Sequence, residues 1–144
     1  MIVVDSSALL AILLKETEKQ AFEDVIADAD RCVLSAVNAH ETAAVLRLRH
    51  GPVGAEKLWK FIADSDIEVV PFDEAQAREA AMAFDRYGKG IDPKARFNLC
   101  DCAAYALAKS MKAPLLIKGE DFAQTDLSSA LRERETFAIA GIPS

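Results

Sequence analysis

Short aliphatic segments alternate with helical segments along this chain, and the alternation limits the possible folds more than any other feature. Each predicted strand is three or four residues long and is followed by segments with the hydrophobic spacing of a helix. Parallel strands need such helices to connect them, so the order predicts an α/β sandwich with a mostly parallel sheet. The predicted strands are 2–5, 32–34, 67–70 and 115–117, and the predicted helices are 8–14, 17–29, 36–49, 53–64, 73–86 and 98–111.

The bulk composition fits one globular domain. The chain has 144 residues, of which 51% are hydrophobic, and this is enough to bury a core. No apolar run approaches the roughly 20 residues that span a bilayer, so we expect no association with a membrane. The segment 1–5 lacks the basic region and the long apolar core of a signal peptide, which favours a cytoplasmic protein.

The three cysteines, Cys32, Cys100 and Cys102, are expected to be reduced thiols that serve as small packing residues. Their spacing is neither that of a zinc site nor that of a Cys-x-x-Cys redox motif.

The net charge of −6 has the wrong sign for a protein that holds nucleic acid by charge alone. A metal-dependent nuclease can still be acidic, because its cations reverse the sign of the charge at the site. Two clusters are candidates for a local basic patch, with an ordinary solvated surface as the alternative for each. One cluster is Arg47, Arg49 and His50, and the other is Lys89, Lys94 and Arg96.

Four acidic residues stand where a folded protein rarely places a charge. Asp5 closes the first strand, Glu41 lies within the helix 36–49, Asp101 lies in the first turn of a helix, and Asp121 follows the last strand. Ligands of parallel sheets bind at the carboxyl ends of the strands, so the topology brings Asp5, Asp101 and Asp121 to one edge. Carboxylate oxygens are the ligands that Mg²⁺ and Mn²⁺ prefer, and the sequence therefore favours metal-assisted phosphodiester chemistry.

Glu41 gives the sharpest local argument among these acids. The apolar stripe of the helix 36–49 is formed by Val37, Ala44, Val45 and Leu48, and the spacing puts Glu41 on the same face. A buried carboxylate is costly unless a cation or a proton compensates it. Pairing with a core arginine, or a position at the wet edge of the stripe, is the alternative.

The other acids leave more alternatives open. Asp101 lies three residues after Asn98, where an acid stabilises the start of a helix without any role in catalysis. Asp121 is weak on its own, because Glu120 and Asp126 are also candidates for the fourth acid.

Four segments, in order, carry a family resemblance: MIVVDSSAL at 1–9, SAVNAHE at 35–41, NLCDCAAYALA at 98–108 and LLIKGEDFAQTD at 115–126. Together they resemble the PIN-domain ribonucleases, and most closely the VapC toxins of bacterial toxin–antitoxin pairs. The resemblance covers residues 1–127 of a single domain expected over 1–144, and the tail after about 127 has no assigned role.

The resemblance implies a three-layer α/β/α sandwich that binds Mg²⁺ or Mn²⁺ and hydrolyses RNA phosphodiester bonds. Asp5 and Asp101 would be the principal metal ligands. Glu41 would complete the site directly or through water, and Asp121 would hold a second metal or its water.

Supporting residues and partners also follow from the resemblance. Ser6 or Ser7 would orient Asp5 or a phosphate oxygen, Asn98 would brace the helix that carries Asp101, and Thr125 would hydrogen-bond within the site. A VapB-like antitoxin with a basic segment would occupy the acidic pocket, and a homodimer would form, plausibly through the helices 36–49 and 53–64.

Two other classes of protein compete with this interpretation. A receiver-like phosphotransfer domain also begins with a strand that ends in an acid, but it needs an acid after a middle strand, where this chain has Pro71. A phosphohydrolase with an aspartate nucleophile needs Asp-x-Asp, and Ser7 occupies the second position. Both of these use an aspartate that accepts a phosphoryl group and form one class. The second class is a non-catalytic RNA-binding or interaction domain, which the presence of all four acids disfavours.

Overall fold

A parallel four-stranded sheet forms the centre of the fold. The computed structural model describes residues 1–119, 122, 125–131 and 133–134. The strand order is β3-β2-β1-β4, and all three pairings are parallel. The strands are β1 (Ile2–Val4), β2 (Cys32–Ser35), β3 (Ile67–Val70) and β4 (Leu115–Leu116). The helices are α1 (Ser6–Leu13), α2 (Lys19–Asp28), α3 (Ala36–His50), α4 (Pro52–Asp64), α5 (Glu74–Tyr87) and α6 (Leu99–Met111).

Helices cover both faces of the sheet. Ile2 and Val4 point to one face, where they pack in a core with apolar residues of α1 to α4. Val3 and Val33 point to the other face and pack with residues of α5 and α6. Successive residues of a strand face opposite sides, so a strand of three aliphatic residues serves both cores. The predicted α/β/α sandwich with a parallel sheet is confirmed, and the sheet is parallel throughout.

The segment after β4 closes one edge of the sheet. The Leu115 amide donates to the Ser128 carbonyl at 2.9 Å, and Leu115 pairs with Ser129 in a parallel bridge. Ala130 is buried in the core on the side of α1 to α4. The start of the tail, to which the sequence assigns no role, therefore packs against the sheet.

The buried face of α3 differs from the face that the sequence predicts. Leu48 is 86% exposed, and the buried residues are Asn38, Ala39, Thr42 and Leu46. The predicted apolar stripe is wrong. Hydrophobic spacing could not identify the buried face, because two of its four residues, Asn38 and Thr42, are polar. Thr42 is satisfied by its own helix, since its hydroxyl donates to the Asn38 carbonyl at 2.7 Å.

Smaller differences affect the neighbouring helices. Hydrophobic spacing places Trp59 of the predicted helix 53–64 and Ala77 of the predicted helix 73–86 on the core face, but Trp59 is 48% exposed on α4 and Ala77 is exposed on α5. Within the described residues, no helix is both long and apolar enough to cross a membrane.

Candidate active site

Asp5 lies at the carboxyl end of β1, where the chain turns from the sheet into α1. Its amide donates to the Leu116 carbonyl at 2.9 Å, which continues the pairing of β1 with β4. Its side chain caps α1, because its Oδ2 accepts a hydrogen bond from the Ser7 amide at 2.9 Å. Only 3% of Asp5 is exposed, so its carboxyl group is held in the interior at the edge of the sheet.

The surroundings of Asp5 oppose its ionisation. Burial raises the pKa of Asp5 to about 6, against the lowering effect of the hydrogen bonds from Ser7. The negative charges of Asp101 and Glu41 make smaller contributions to the same rise in pKa. The fold therefore brings Asp5, Glu41 and Asp101 within electrostatic reach of one another, although 36 and 60 residues separate successive members in sequence.

Asp101 has two roles at once. It forms a capping box with Asn98: the Asp101 amide donates to Asn98 Oδ1 at 2.8 Å, and the Asn98 amide donates to Asp101 Oδ2 at 2.9 Å. The capping role that the spacing indicates is therefore present. The same carboxylate raises the pKa of Asp5, so Asp101 caps α6 and also lies near Asp5 at the site.

Glu41 contacts a residue that sequence reasoning treated as packing. The Cys100 thiol is hydrogen-bonded to the Glu41 carboxylate, and burial, followed by this bond, raises the pKa of Cys100 to about 12. Burial raises the pKa of Cys102 to about 11. With no metal ion bound, both are protonated thiols at neutral pH, so Cys100 is a hydrogen-bond partner of Glu41.

Asn38 holds the site together and was missed in the sequence. Its side chain is fully buried, and its Nδ2 donates to Ser6 Oγ at 3.0 Å and to the Cys100 carbonyl at 3.1 Å. Ser6 Oγ in turn donates to the Asn38 carbonyl at 3.2 Å. These bonds join α1, α3 and α6 beside the acids. The only signal for Asn38 is its position one turn before Glu41.

The two serines after Asp5 have different contacts. Ser6 is buried against Asn38, whereas Ser7 faces the segment after β4 and accepts from the Lys118 amide at 3.0 Å. The Lys118 ammonium pairs with Glu16 at 2.9 Å and with Glu18 at 3.4 Å. Ser7 thus connects Asp5 to the chain that leaves β4.

The candidates for the fourth acid are now separated. Asp121 and Glu120 lie outside the described residues. Asp126 accepts from the Tyr105 hydroxyl at 2.6 Å and pairs with Lys109, and these partners lower the pKa of Asp126, Lys109 most. Thr125 donates to the Phe122 carbonyl at 2.7 Å within a local turn. Asp126 and Thr125 therefore anchor the segment after β4 in the contacts that are described.

Comparison with known proteins identifies the family of this chain. The family model for the PIN domain matches residues 2–127. The chain belongs to the PIN-domain family. It is 39% identical to ribonuclease VapC28 of Mycobacterium tuberculosis over 132 residues, which cover 92% of this chain and 99% of the relative. A VapC ribonuclease of Mycolicibacterium smegmatis is 39% identical over 127 residues, covering 88% of this chain and 98% of the relative.

Solved structures show the same fold at lower identity. Mycobacterium tuberculosis VapC20, described as a toxin that cleaves the sarcin–ricin loop, superposes with a TM-score of 0.74 at 15% identity, covering 88% of this chain and 96% of the other. A toxin–antitoxin complex from Klebsiella pneumoniae contains a chain with a TM-score of 0.67 at 14% identity, covering 90% and 98%. Membership of the PIN family excludes the receiver-like alternative.

The donor set of this PIN domain fits a hard divalent cation. The described acids at the site offer carboxylate oxygens, and the charges that act on Asp5 are those of two further carboxylates. None of the ion pairs among the described residues involves Asp5 or Glu41. In that part of the chain, no three His, Cys, Asp or Glu side chains are grouped closely enough to hold a metal ion. The acids interact electrostatically, but their carboxylate oxygens have to move closer to one another to bind a metal ion together.

The buried charge of Asp5 leads to a prediction about stability. We expect Asp5→Asn to stabilise the metal-free protein above pH 6 by up to about 3 kcal/mol, because asparagine keeps an oxygen for the Ser7 amide and removes the charge. The folded pKa lies above the unfolded value, so the contribution of Asp5 to stability is full below pH 3.8 and is lost as the pH rises through 6. Urea unfolding in chelator between pH 4 and pH 8 measures the difference.

The control variant is Asp85→Asn, which removes an exposed carboxylate from α5. Its stability should stay within about 0.5 kcal/mol of the wild type at every pH. Equal stability of Asp5→Asn and wild type at pH 7.5 would contradict the burial of an unfavourable charge at position 5.

Proposed function

We propose that this chain is a Mg²⁺- or Mn²⁺-dependent endoribonuclease that acts as the toxin of a toxin–antitoxin pair. The observation that supports the proposal is the position of Asp5, buried at the carboxyl edge of the sheet, where burial and then repulsion by Asp101 and Glu41 raise its pKa. A cation that binds there relieves this repulsion. The VapC relatives at 39% identity are named ribonucleases, which supports RNA as the substrate.

The residues that would hold the ion are Asp5, Asp101 and Glu41, with Asp121 as the fourth acid. When bound, such an ion activates water and stabilises the negative charge that develops on a phosphodiester. Asp5 carries a proton below about pH 6 and is ionised above it, so its capacity to bind a cation increases through this range.

Neighbouring groups fix the orientation of these acids. The Ser7 amide holds Oδ2 of Asp5, the Asn98 amide holds Oδ2 of Asp101, and the Cys100 thiol holds the Glu41 carboxylate. Each acid is therefore restrained by a hydrogen bond, and such restraint reduces the reorganisation that ion binding requires.

Asp101→Asn tests the catalytic part of the proposal. Asparagine keeps a side-chain oxygen that can accept from the Asn98 amide, so the cap of α6 survives while the charge is lost. We expect at least about a 100-fold loss in cleavage of labelled single-stranded RNA in Mg²⁺ or Mn²⁺. A chelator should stop the wild-type reaction, and cleavage should increase as the pH rises through 6.

The same exposed variant, Asp85→Asn, serves as the matched control and should cleave at the wild-type rate. Cleavage that persists in chelator, or an Asp101→Asn variant as active as wild type, would overturn the proposed site.

The toxin role requires a cytoplasmic protein that an antitoxin can neutralise. A cluster of carboxylates is complementary to the guanidinium fork of arginine, so an arginine-bearing, VapB-like segment fits the site. A chain of this fold is part of the toxin–antitoxin complex from Klebsiella pneumoniae, which supports an antitoxin as the partner.

We expect induction of the wild-type chain in a bacterial host to reduce colony counts, and Asp101→Asn to abolish this effect. Co-expression of the cognate antitoxin should restore growth. Equal toxicity of wild type and Asp101→Asn would show that growth arrest does not depend on the acids.

We propose that two copies associate through α3 and α4. Leu48, Val53 and Trp59 lie on this pair of helices and are 86%, 55% and 48% exposed, so apolar area is available for burial.

Trp59→Glu should convert a dimer to monomers in sedimentation equilibrium. Met82→Glu changes an apolar residue of α5 that is 60% exposed and should leave the dimer intact. A wild-type monomer at the highest concentration tested would refute this surface.

A further inference from the structure

The loop between α5 and α6 is closed and held by its own backbone. The Phe97 amide donates to the Tyr87 carbonyl and the Lys89 amide donates to the Phe97 carbonyl, both at 2.8 Å. Phe97 is fully buried and Ala95 is 1% exposed, so the end of the loop that leads into α6 is anchored in the core. The loop therefore has a defined shape before any ligand binds.

The one acid of the loop is used inside it. Asp92 Oδ1 accepts from the Lys94 amide at 2.7 Å and from the Ala95 amide at 3.3 Å. This carboxylate caps a turn and pairs with none of the loop's cations in the ion pairs among the described residues. Lys89, Lys94 and Arg96 are all exposed, and their charges are available to a partner.

A pocket of about 500 Å³ lies within this loop. Its lining includes Lys89 and Arg96, and the remaining residues are Gly90, Ile91, Asp92 and Pro93. Arg96 has a positive φ of 53°, which is uncommon for a residue with a side chain. Two cations that line one concave surface can both contact the oxygens of a single phosphate group.

The loop leads directly to the acids. Arg96 is two residues before Asn98, so their Cα atoms are at most about 7 Å apart. Asn98 caps α6 and is hydrogen-bonded to Asp101. A polyanion held at Lys89 and Arg96 therefore passes beside the carboxyl edge of the sheet.

The other basic cluster of the chain is less well placed. Arg47, Arg49 and His50 occupy the last turn of α3, where cations stabilise a helix end. His50 is nine residues beyond Glu41, which is about 13 Å further along the helix axis. This cluster has an ordinary structural role at a distance from the acids.

We propose that the loop 89–96 binds a backbone phosphate of the RNA next to the bond that is cut, through Lys89 and Arg96. The inference rests on the proposed ribonuclease function and adds a substrate-anchoring element to it. The contact is to phosphate, so it holds the strand without selecting a base. The acids carry out the chemistry and the loop supplies the attraction that a chain of net charge −6 otherwise lacks.

Single-turnover cleavage of a short labelled RNA by the full chain, titrated with protein, separates binding from chemistry. We expect Lys89→Gln combined with Arg96→Gln to raise the half-saturating protein concentration about tenfold, to a similar extent for two RNAs of different sequence. The maximal rate should change less than twofold. The slope of log affinity against log salt should fall in magnitude by about 0.7, the contribution of one neutralised phosphate on a single strand.

Lys112→Gln, which removes an exposed cation at the C-terminal end of α6, is the matched control and should behave as wild type in every respect. An unchanged half-saturating concentration and salt slope in the loop variant would overturn the inference while leaving the ribonuclease function intact. Unchanged RNA binding with weakened capture of a purified antitoxin would also overturn it, and would assign the loop to a protein partner.

Fluorescence anisotropy of the same RNAs in chelator gives a readout that does not depend on cleavage. If the wild type cuts no RNA but binds it with the predicted dependence on Lys89 and Arg96, the catalytic proposal fails and the loop proposal stands. If anisotropy shows equal binding by wild type and loop variant, the loop proposal fails.

Discussion

The site depends on a carboxyl group that the fold buries at the end of its central strand. Asp5 is 3% exposed, and its desolvation is only partly offset by the Ser7 amide. Asparagine would cap α1 as well without this cost. A residue that weakens the metal-free fold but concentrates negative charge with Glu41 and Asp101 is more consistent with a functional role than with a structural one.

A buried polar frame keeps the acids in position. Asn38 is enclosed between α1 and α6, and its bonds to Ser6 and to the Cys100 carbonyl fix where these helices start relative to α3. An apolar residue at position 38 would pack but would set no direction, whereas hydrogen bonds specify one arrangement of the three helices. The Asn38 Oδ1 atom is also buried, and no donor among the described residues reaches it. This atom therefore lowers the stability of the fold at the point where α1, α3 and α6 meet beside the site.

The order of strands and helices was predictable from the sequence because aliphatic spacing and crossover rules are local or topological. The position of Asp5 followed from the strand that precedes it, and that of Asp101 from the cap at Asn98. Glu41 was selected for a wrong reason, since the stripe of Val37 and Leu48 is not the buried face. Hydrophobic spacing cannot identify Asn38 as a buried residue, because its burial depends on partners 32 and 62 residues away. The thiol of Cys100 is also a contact between helices that no local pattern encodes.

The separation of acids from cations would allow an acidic chain to hold RNA in the way proposed. A phosphate that approaches Asp5, Glu41 and Asp101 is repelled until a cation is bound, so the attraction has to come from outside the acid cluster. It has to come from nearby, because charges are screened over about 8 Å at physiological salt. Arg96 is two residues before Asn98, which is hydrogen-bonded to Asp101, whereas His50 at the end of α3 lies about 13 Å along the helix axis from Glu41. The loop's own acid is occupied by the Lys94 and Ala95 amides, so it leaves the nearby cations to act on the substrate.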